Sequence, residues 1–283
     1  MRIKYAVLVI ATTLVVTNVA YAQFRDLINK VDPNKVVRGA RAAKAMTKEF
    51  SEAEEREIGR IVAARVLATY PISKDERLQK YVTLLGNTIA GYCTRPSLDW
   101  HFAVIEAPIV NAFSAPGGFI FVTTTLLENV KSEAELAAVL GHEIAHATEK
   151  HILSEIKRAN VFAAGLDIAQ SEYGRGDLTD QLARKVSEIA NDKLFKTGVG
   201  RKEEHEADRI GMKLAGAAGY REASLLDFLS TLQQLAATQP AGLRQLTQTH
   251  PKPQDRIAAL QKLRPGSEGA TLEGRWAEWT AGN

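Results

Sequence analysis

The chain has 283 residues, a formal net charge of +3 and one cysteine, Cys93. Residues 1–22 contain Arg2 and Lys4 but no acid, so the remainder carries 3 − 2 = +1, which gives no reason to expect a nucleic-acid partner. A single cysteine excludes an intramolecular disulfide, and the absence of internal repeats favours one main domain.

Residues 1–22 have the order of a secretory signal peptide: a basic start, an apolar run over residues 6–16, and the Ala20-Tyr21-Ala22 cleavage pattern. We expect cleavage after Ala22 and a periplasmic location. The apolar run is shorter than the roughly 20 residues needed to span a bilayer, and no later segment could span one, so we expect no transmembrane span in the mature chain.

Residues 23–50 are predicted to be a polar, partly helical lead-in. Their basic side chains would allow peripheral contact with anionic lipid, although a solvated helix face has the same composition.

Amphipathic helices are predicted over residues 51–70 and 74–92, the first capped by Ser51. Residues 99–105 and 118–123 are β-rich runs, and Pro116-Gly117-Gly118 marks a turn between them. These runs predict a small antiparallel sheet in an otherwise α-rich, α+β protein.

The run His142-Glu143-Ile144-Ala145-His146 follows a capping-box pattern, Ser132 and Glu135, and therefore lies within a predicted helix. One turn apart, His142 and His146 project from one face, close enough to bind one zinc ion. Glu143 is rotated about 100° from His142, beside the metal and not on it, where a general base would stand. A solvent-facing helix with incidental histidines is the alternative.

A catalytic zinc usually needs a third protein ligand. Residues 203–212 predict a second helix in which Glu204 and Asp208 share a face, so Glu204 could bind zinc while Asp208 accepts a hydrogen bond from a ligand histidine. Spacing alone leaves Glu203, His205 and Glu206 open as ligands, and a Glu-rich stretch can also be a solvated helix face.

Residues 171–201 form an insertion between the two ligand helices, with a charged helical piece over residues 178–194. We predict that it flanks the cleft and moves as a lid; a loop-helix-loop that merely closes the domain is equally compatible with the sequence.

Further helices are predicted over residues 220–235 and 254–263. The Gly-rich tail, residues 264–283, carries Trp276 and Trp279 and is predicted to be loosely ordered or a docking segment.

The sequence resembles the HtpX-like and prenyl-protease-like gluzincin metallopeptidases, most closely their soluble periplasmic BepA- and LoiP-like members, from about residue 51 to 263. The residues that carry the resemblance are the zinc motif with Gly141 before it, the stretch 111–122, and the Glu204-x-x-x-Asp208 element ending in Gly211. The resemblance implies a zincin-type fold, Glu204 as the third zinc ligand and Asp208 as the partner behind a ligand histidine.

Two further hypotheses depend partly on this resemblance. The backbone of residues 111–115 is predicted to be an edge that pairs with an extended substrate, a plain core hairpin being the alternative. His250, in a His-Pro segment, is predicted to approach the cleft as a removable fourth ligand or a stabiliser of the tetrahedral intermediate; a turn histidine before a helix is the alternative. His101, His151 and His205 are expected to be structural or surface residues.

The sequence thus predicts a periplasmic zinc-dependent metalloendopeptidase, with residues 51–263 as the catalytic domain. His142, His146 and Glu204 would bind one Zn²⁺, and Glu143, supported by Asp208 and His250, would serve catalysis. By resemblance, the expected substrates are unfolded or misassembled envelope proteins. A chaperone-like client-binding module with a structural or latent zinc site is the competing hypothesis, and the oligomeric state is open.

Overall fold

A computed structural model describes residues 49–158, 175–238 and 244–281 of the chain. The predicted signal peptide, residues 1–22, and nearly all of the lead-in, residues 23–50, lie outside the described residues. Within the described ranges, no helix is both long enough and apolar enough to cross a membrane.

Helices make up most of the described chain, and serine caps define where the principal ones begin. Ser51 accepts a hydrogen bond from the Glu54 amide, and Ser132 accepts one from the Glu135 amide, as the capping patterns predict. The helices are α1 (Glu52–Thr69), α2 (Glu76–Ala90), α3 (Thr124–Asn129), α4 (Glu133–Thr148), α5 (His151–Arg158), α6 (Arg175–Asp192), α7 (Arg201–Ala217), α8 (Ser224–Thr238), α9 (Arg244–Thr249), α10 (Pro253–Gln261) and α11 (Glu273–Thr280). A π-helical turn, Lys193–Thr197, follows α6.

The sheet contains β1 (His101–Ile105), β2 (Ala112–Ala115) and β3 (Phe119–Thr123), in the order β1-β3-β2. It is mixed, so the expectation of an antiparallel sheet is wrong: β3 is antiparallel to β2 but parallel to β1. The chain passes from β1 to the far edge as β2 and reverses through Gly117 and Gly118, whose φ values are 75° and 94°. β3 then fills the centre in the direction of β1.

A buried glutamate holds this turn in place. The Glu55 carboxylate, 1% exposed, accepts a hydrogen bond of 3.2 Å from the Gly117 amide and pairs with both terminal guanidinium nitrogens of Arg95 at 2.8 and 2.9 Å. Since a buried carboxylate is tolerated only when it is paired, this contact ties α1 to the end of β2.

Helix α4 is the centre of the domain, and every one of its residues is buried. It contacts α2, α7, α8 and the strands β2 and β3. Where α4 meets α7, the two backbones touch: a Cβ on Gly141 would lie 2.6 Å from the Gly211 carbonyl oxygen, and one on Gly211 would lie 2.4 Å from the His142 nitrogen. Only glycine allows this approach, which brings the side chains of α7 to those of α4.

The end of the C-terminal tail, α11, packs on this core, so the predicted loose order is wrong for this helix; a docking role of the tail stays a prediction. Trp276 is 3% exposed, and its indole nitrogen donates a hydrogen bond of 2.8 Å to the Val130 carbonyl. The buried Glu133 carboxylate, at the start of α4, accepts hydrogen bonds from Tyr81, Tyr220 and Arg275. A buried carboxylate needs such donors, and Arg275, one of the three, belongs to α11. Helix α11 is therefore part of the domain.

We predict that Trp276→Ala lowers the free energy of unfolding by about 3–5 kcal/mol, because it leaves a cavity and an unpaired carbonyl beneath α4. Trp279→Ala, on the partly exposed face of the same helix, should cost clearly less. Urea unfolding of both variants beside wild type measures the difference. Equal, small losses would show that α11 contributes little to stability.

Candidate metal centre

Helix α4 presents two histidine nitrogens to a common point. The Nε2 atoms of His142 and His146 lie 3.0 Å apart, and the two side chains are 3% and 5% exposed. One helical turn separates the residues, which is why their rings meet on one face. The predicted pairing of the two histidines is therefore present in the fold.

Helix α7 supplies a carboxylate to the same point. Glu204 Oε2 lies 3.7 Å from His142 Nε2, and Glu204 Oε1 lies 3.5 Å from His146 Nε2. Glu204 is 1% exposed, and its Oε1 has no hydrogen-bond partner. The two carboxylate oxygens thus face one imidazole nitrogen each, and one of these oxygens is buried without a partner. A divalent cation would satisfy such groups, so these residues fit a metal ion.

The other candidates for the third ligand lie elsewhere. The Glu203 carboxylate pairs with Arg158 at 2.9 Å. His205 and Glu206 line a separate cavity of about 320 Å³ between α7 and α10. Of the positions that spacing left open, the structure brings only Glu204 to the two histidines.

His250 also lies at this point, directly after α9. Its Nδ1 is 2.7 Å from Glu204 Oε2, and His142, His146, Glu204 and His250 each offer a ligand atom within 4.8 Å of the others. Burial works against the charged imidazole, but the Glu204 carboxylate outweighs it and raises the pKa of His250. The predicted approach of His250 to the cleft is thus seen in the structure, whereas its role as a ligand or as a stabiliser of the intermediate stays a prediction.

Behind His142 stands an ion pair. His142 Nδ1 lies 2.9 Å from Asp208 Oδ1, and Arg256 Nε donates to Asp208 Oδ2 at 2.9 Å. Burial disfavours the Asp208 carboxylate, yet Arg256 and His142 hold its pKa well below the usual range. Arg256 was missed by sequence reasoning. The only sequence signal for a buried role of Arg256 is its position one helical turn before Leu260, which is buried on α10.

Behind His146 lies His151, one of the histidines expected to be structural or surface residues. His146 Nδ1 and His151 Nδ1 are 2.8 Å apart, and His151 is 4% exposed. Helix α4 ends at Thr148 and Lys150 adopts a left-handed φ of 57°, so that α5 starts in a new direction and returns His151 to His146. His101, by contrast, is exposed, as expected.

A cleft opens in front of the centre. Glu143, 4% exposed, lies in its wall, and burial raises the pKa of the Glu143 carboxyl. Strand β2 forms one side, and the end of the insertion, including Leu194 and Val199, forms another. The predicted position of the insertion beside the cleft is therefore seen, whereas its movement as a lid stays a prediction.

Potential metal ligands from His-Glu-x-x-His on one helix and a glutamate on a second, with the motif's own glutamate in the cleft, are typical of the metallopeptidase class of proteins. The family comparison agrees. Residues 74–264, more than half of the chain, match the family model of Peptidase family M48. The chain therefore belongs to Peptidase family M48, which confirms the metallopeptidase family expected from the sequence.

Several curated proteins are similar to the chain. The beta-barrel assembly-enhancing protease of Escherichia coli strain K12 is 26% identical over 221 residues, which cover 74% of this chain and 43% of that protein. The mitochondrial metalloendopeptidase OMA1 of Arabidopsis thaliana is 37% identical over 123 residues, 44% of this chain and 24% of that protein. Human metalloendopeptidase OMA1 is 30% identical over 178 residues, 59% of this chain and 33% of that protein. The chain thus spans less than half the length of these relatives.

Proposed function

We propose that this chain is a zinc-dependent metalloendopeptidase. The observation that carries the proposal is the convergence of His142, His146 and Glu204 beside the cleft that holds Glu143. A zinc ion held there would supply Lewis acidity towards a water molecule and a peptide carbonyl. Two imidazoles and one carboxylate are a usual zinc set, although other divalent ions accept it too.

Glu143 is assigned the proton transfers. Its carboxylate takes a proton from the attacking water and returns it to the leaving amine as the peptide bond breaks. A general base works best when its pKa lies near the working pH, and burial moves the pKa of Glu143 upwards in that direction.

Asp208 and Arg256 are assigned a supporting role. By accepting from His142 Nδ1, Asp208 fixes the ring so that Nε2 keeps its lone pair for the metal. Arg256 in turn keeps Asp208 charged and stationary through a two-nitrogen contact.

We assign to strand β2 the binding of the substrate backbone. Thr123 donates to the Asn111 carbonyl, so alternation along the antiparallel pair directs the Ala112 backbone groups away from β3. Ala112 lines the cleft, where those groups can pair with an extended peptide. Replacing Ala112 with Pro removes an amide that the sheet does not use. We expect weaker peptide binding, and intact affinity would favour a plain hairpin.

Unfolded or misassembled envelope proteins are the proposed substrates, and the periplasm is the proposed location. An edge strand that binds backbone suits unfolded chains, because it recognises no particular side chain. The signal-peptide pattern of residues 1–22, with cleavage after Ala22, supports export. One similar protein is named a beta-barrel assembly-enhancing protease, which links that relative to the assembly of beta-barrel proteins.

Casein digestion by the full chain tests the proposal. We expect cleavage that stops when zinc is removed by a chelator and returns when zinc is restored. The same treatment with calcium, which prefers oxygen ligands and higher coordination numbers, should not restore it. Cleavage that survives complete metal removal, or no cleavage by fully zinc-loaded protein, would contradict the assignment.

His250 favours one competing function, a chaperone-like module with a structural or latent zinc site, because four convergent ligands could close the site. We predict that His250→Ala changes turnover: a rise if His250 caps the metal, a fall if it stabilises the intermediate. Zinc content and casein cleavage would be measured together. If the variant has wild-type turnover and wild-type zinc retention, His250 has no functional role.

A further inference from the structure

His146 directs its two ring nitrogens to different partners. Nε2 faces His142 and Glu204, whereas Nδ1 lies 2.8 Å from Nδ1 of His151. Both rings are buried, so water does not compete for this contact. The contact joins two nitrogens of the same type, and its direction depends on which of them carries a proton.

Metal binding decides that direction. If Nε2 of His146 gives its lone pair to a metal, the ring proton of the neutral imidazole must be on Nδ1. His146 Nδ1 is then the donor, and His151 Nδ1 must accept. A neutral His151 consequently carries its own proton on Nε2. That nitrogen is buried without a hydrogen-bond partner, and the Glu206 carboxylate lies 3.7 Å from it.

We propose that His151 is a positioning residue for the metal ligand His146: its Nδ1 accepts a hydrogen bond from His146 Nδ1–H and so locks that ring in the Nδ1–H form, with Glu206 behind His151. The inference rests on the proposed metal site. The two proposed ligand histidines would then differ in the group that accepts their Nδ1–H. His142 donates to a carboxylate that is held by Arg256, whereas His146 donates to a neutral imidazole.

Nitrogen-15 NMR of the histidine rings in the zinc-loaded full chain tests the assignment without any change to the site. We expect His146 to be protonated at Nδ1 and His151 to be protonated at Nε2 only. His151 with its proton on Nδ1, or with both nitrogens protonated, would overturn the proposal. Comparison with His151→Asn identifies the His151 signals.

Zinc affinity provides the second readout, by competition with a chromogenic chelator. His151→Phe removes the acceptor and should weaken zinc binding about 10–100-fold. His151→Asn places a carbonyl oxygen where Nδ1 stood and should remain close to wild type. His101→Phe, at an exposed site, is the matched control. Equal affinities for the Phe and Asn variants would contradict a role through the acceptor. If His151→Phe does not fold, the ring protonation states of the wild-type protein still test the proposal.

The role of His151 and the peptidase activity can be refuted independently. Zinc-loaded protein with the expected ring protonation that leaves casein intact would refute the peptidase and keep the role of His151. Cleavage of casein by a protein in which His151 donates to His146 would refute the role of His151 and keep the peptidase.

Discussion

Glu143→Gln is expected to reduce casein cleavage by about 10²–10⁴-fold while zinc binding stays intact. Glutamine matches glutamate in shape, so the buried position should be filled without a cavity, but it cannot take a proton from water or return one to the leaving amine. Zinc should remain, because Glu143 is not among the four residues whose ligand atoms converge. Initial cleavage rates and metal content of the same preparations measure both effects.

Glu203→Gln is the matched control for this substitution. Glu203 lies in the first turn of the same helix as the proposed ligand Glu204, but its carboxylate pairs with Arg158, so we expect wild-type cleavage. Equal rates for wild type and Glu143→Gln would remove the proposed base. A lost rate together with lost zinc would show damage to the site instead. A biological effect that persists in zinc-loaded Glu143→Gln would favour the client-binding module.

The second large effect is expected at the crossing of α4 and α7. Gly211→Ala should lower the free energy of unfolding by about 1–3 kcal/mol, since its methyl group would lie 2.4 Å from the His142 nitrogen and 2.7 Å from the Gly141 carbonyl carbon. The two helices must separate to accept it. Because Glu204 and Asp208 reach His142 across this contact, zinc affinity should fall with stability.

Gly274→Ala is the control for a methyl group added to a helix. Nothing lies within 4 Å of a Cβ at Gly274, so alanine should be neutral or stabilising by up to about 1 kcal/mol. Urea unfolding of the metal-free proteins and chelator competition give the two quantities. Wild-type stability and zinc affinity in Gly211→Ala would show that the helices can move apart without consequence for the site.

Relations within a single helix were predictable from the sequence. The i, i+4 spacing places His142 and His146 on one face of α4, and the same spacing places Glu204 and Asp208 on one face of α7. The serine caps located where α1 and α4 begin. These relations follow from helix geometry and capping chemistry, which act over a few neighbouring residues. Family resemblance, and not spacing, selected Glu204 among its neighbours.

Relations between elements were decided only by the tertiary structure. The left-handed Lys150 redirects the chain and brings His151 to His146, and Arg256 reaches Asp208 from 48 residues away. The strand order β1-β3-β2 makes the sheet mixed, and Trp276 completes the core beneath α4. The physical reason is that periodicity and capping specify which face an element buries, whereas the partner of that face depends on packing among distant segments. The sequence by itself determined the proposed metal-binding motif; the residues that surround and orient it were determined by the fold.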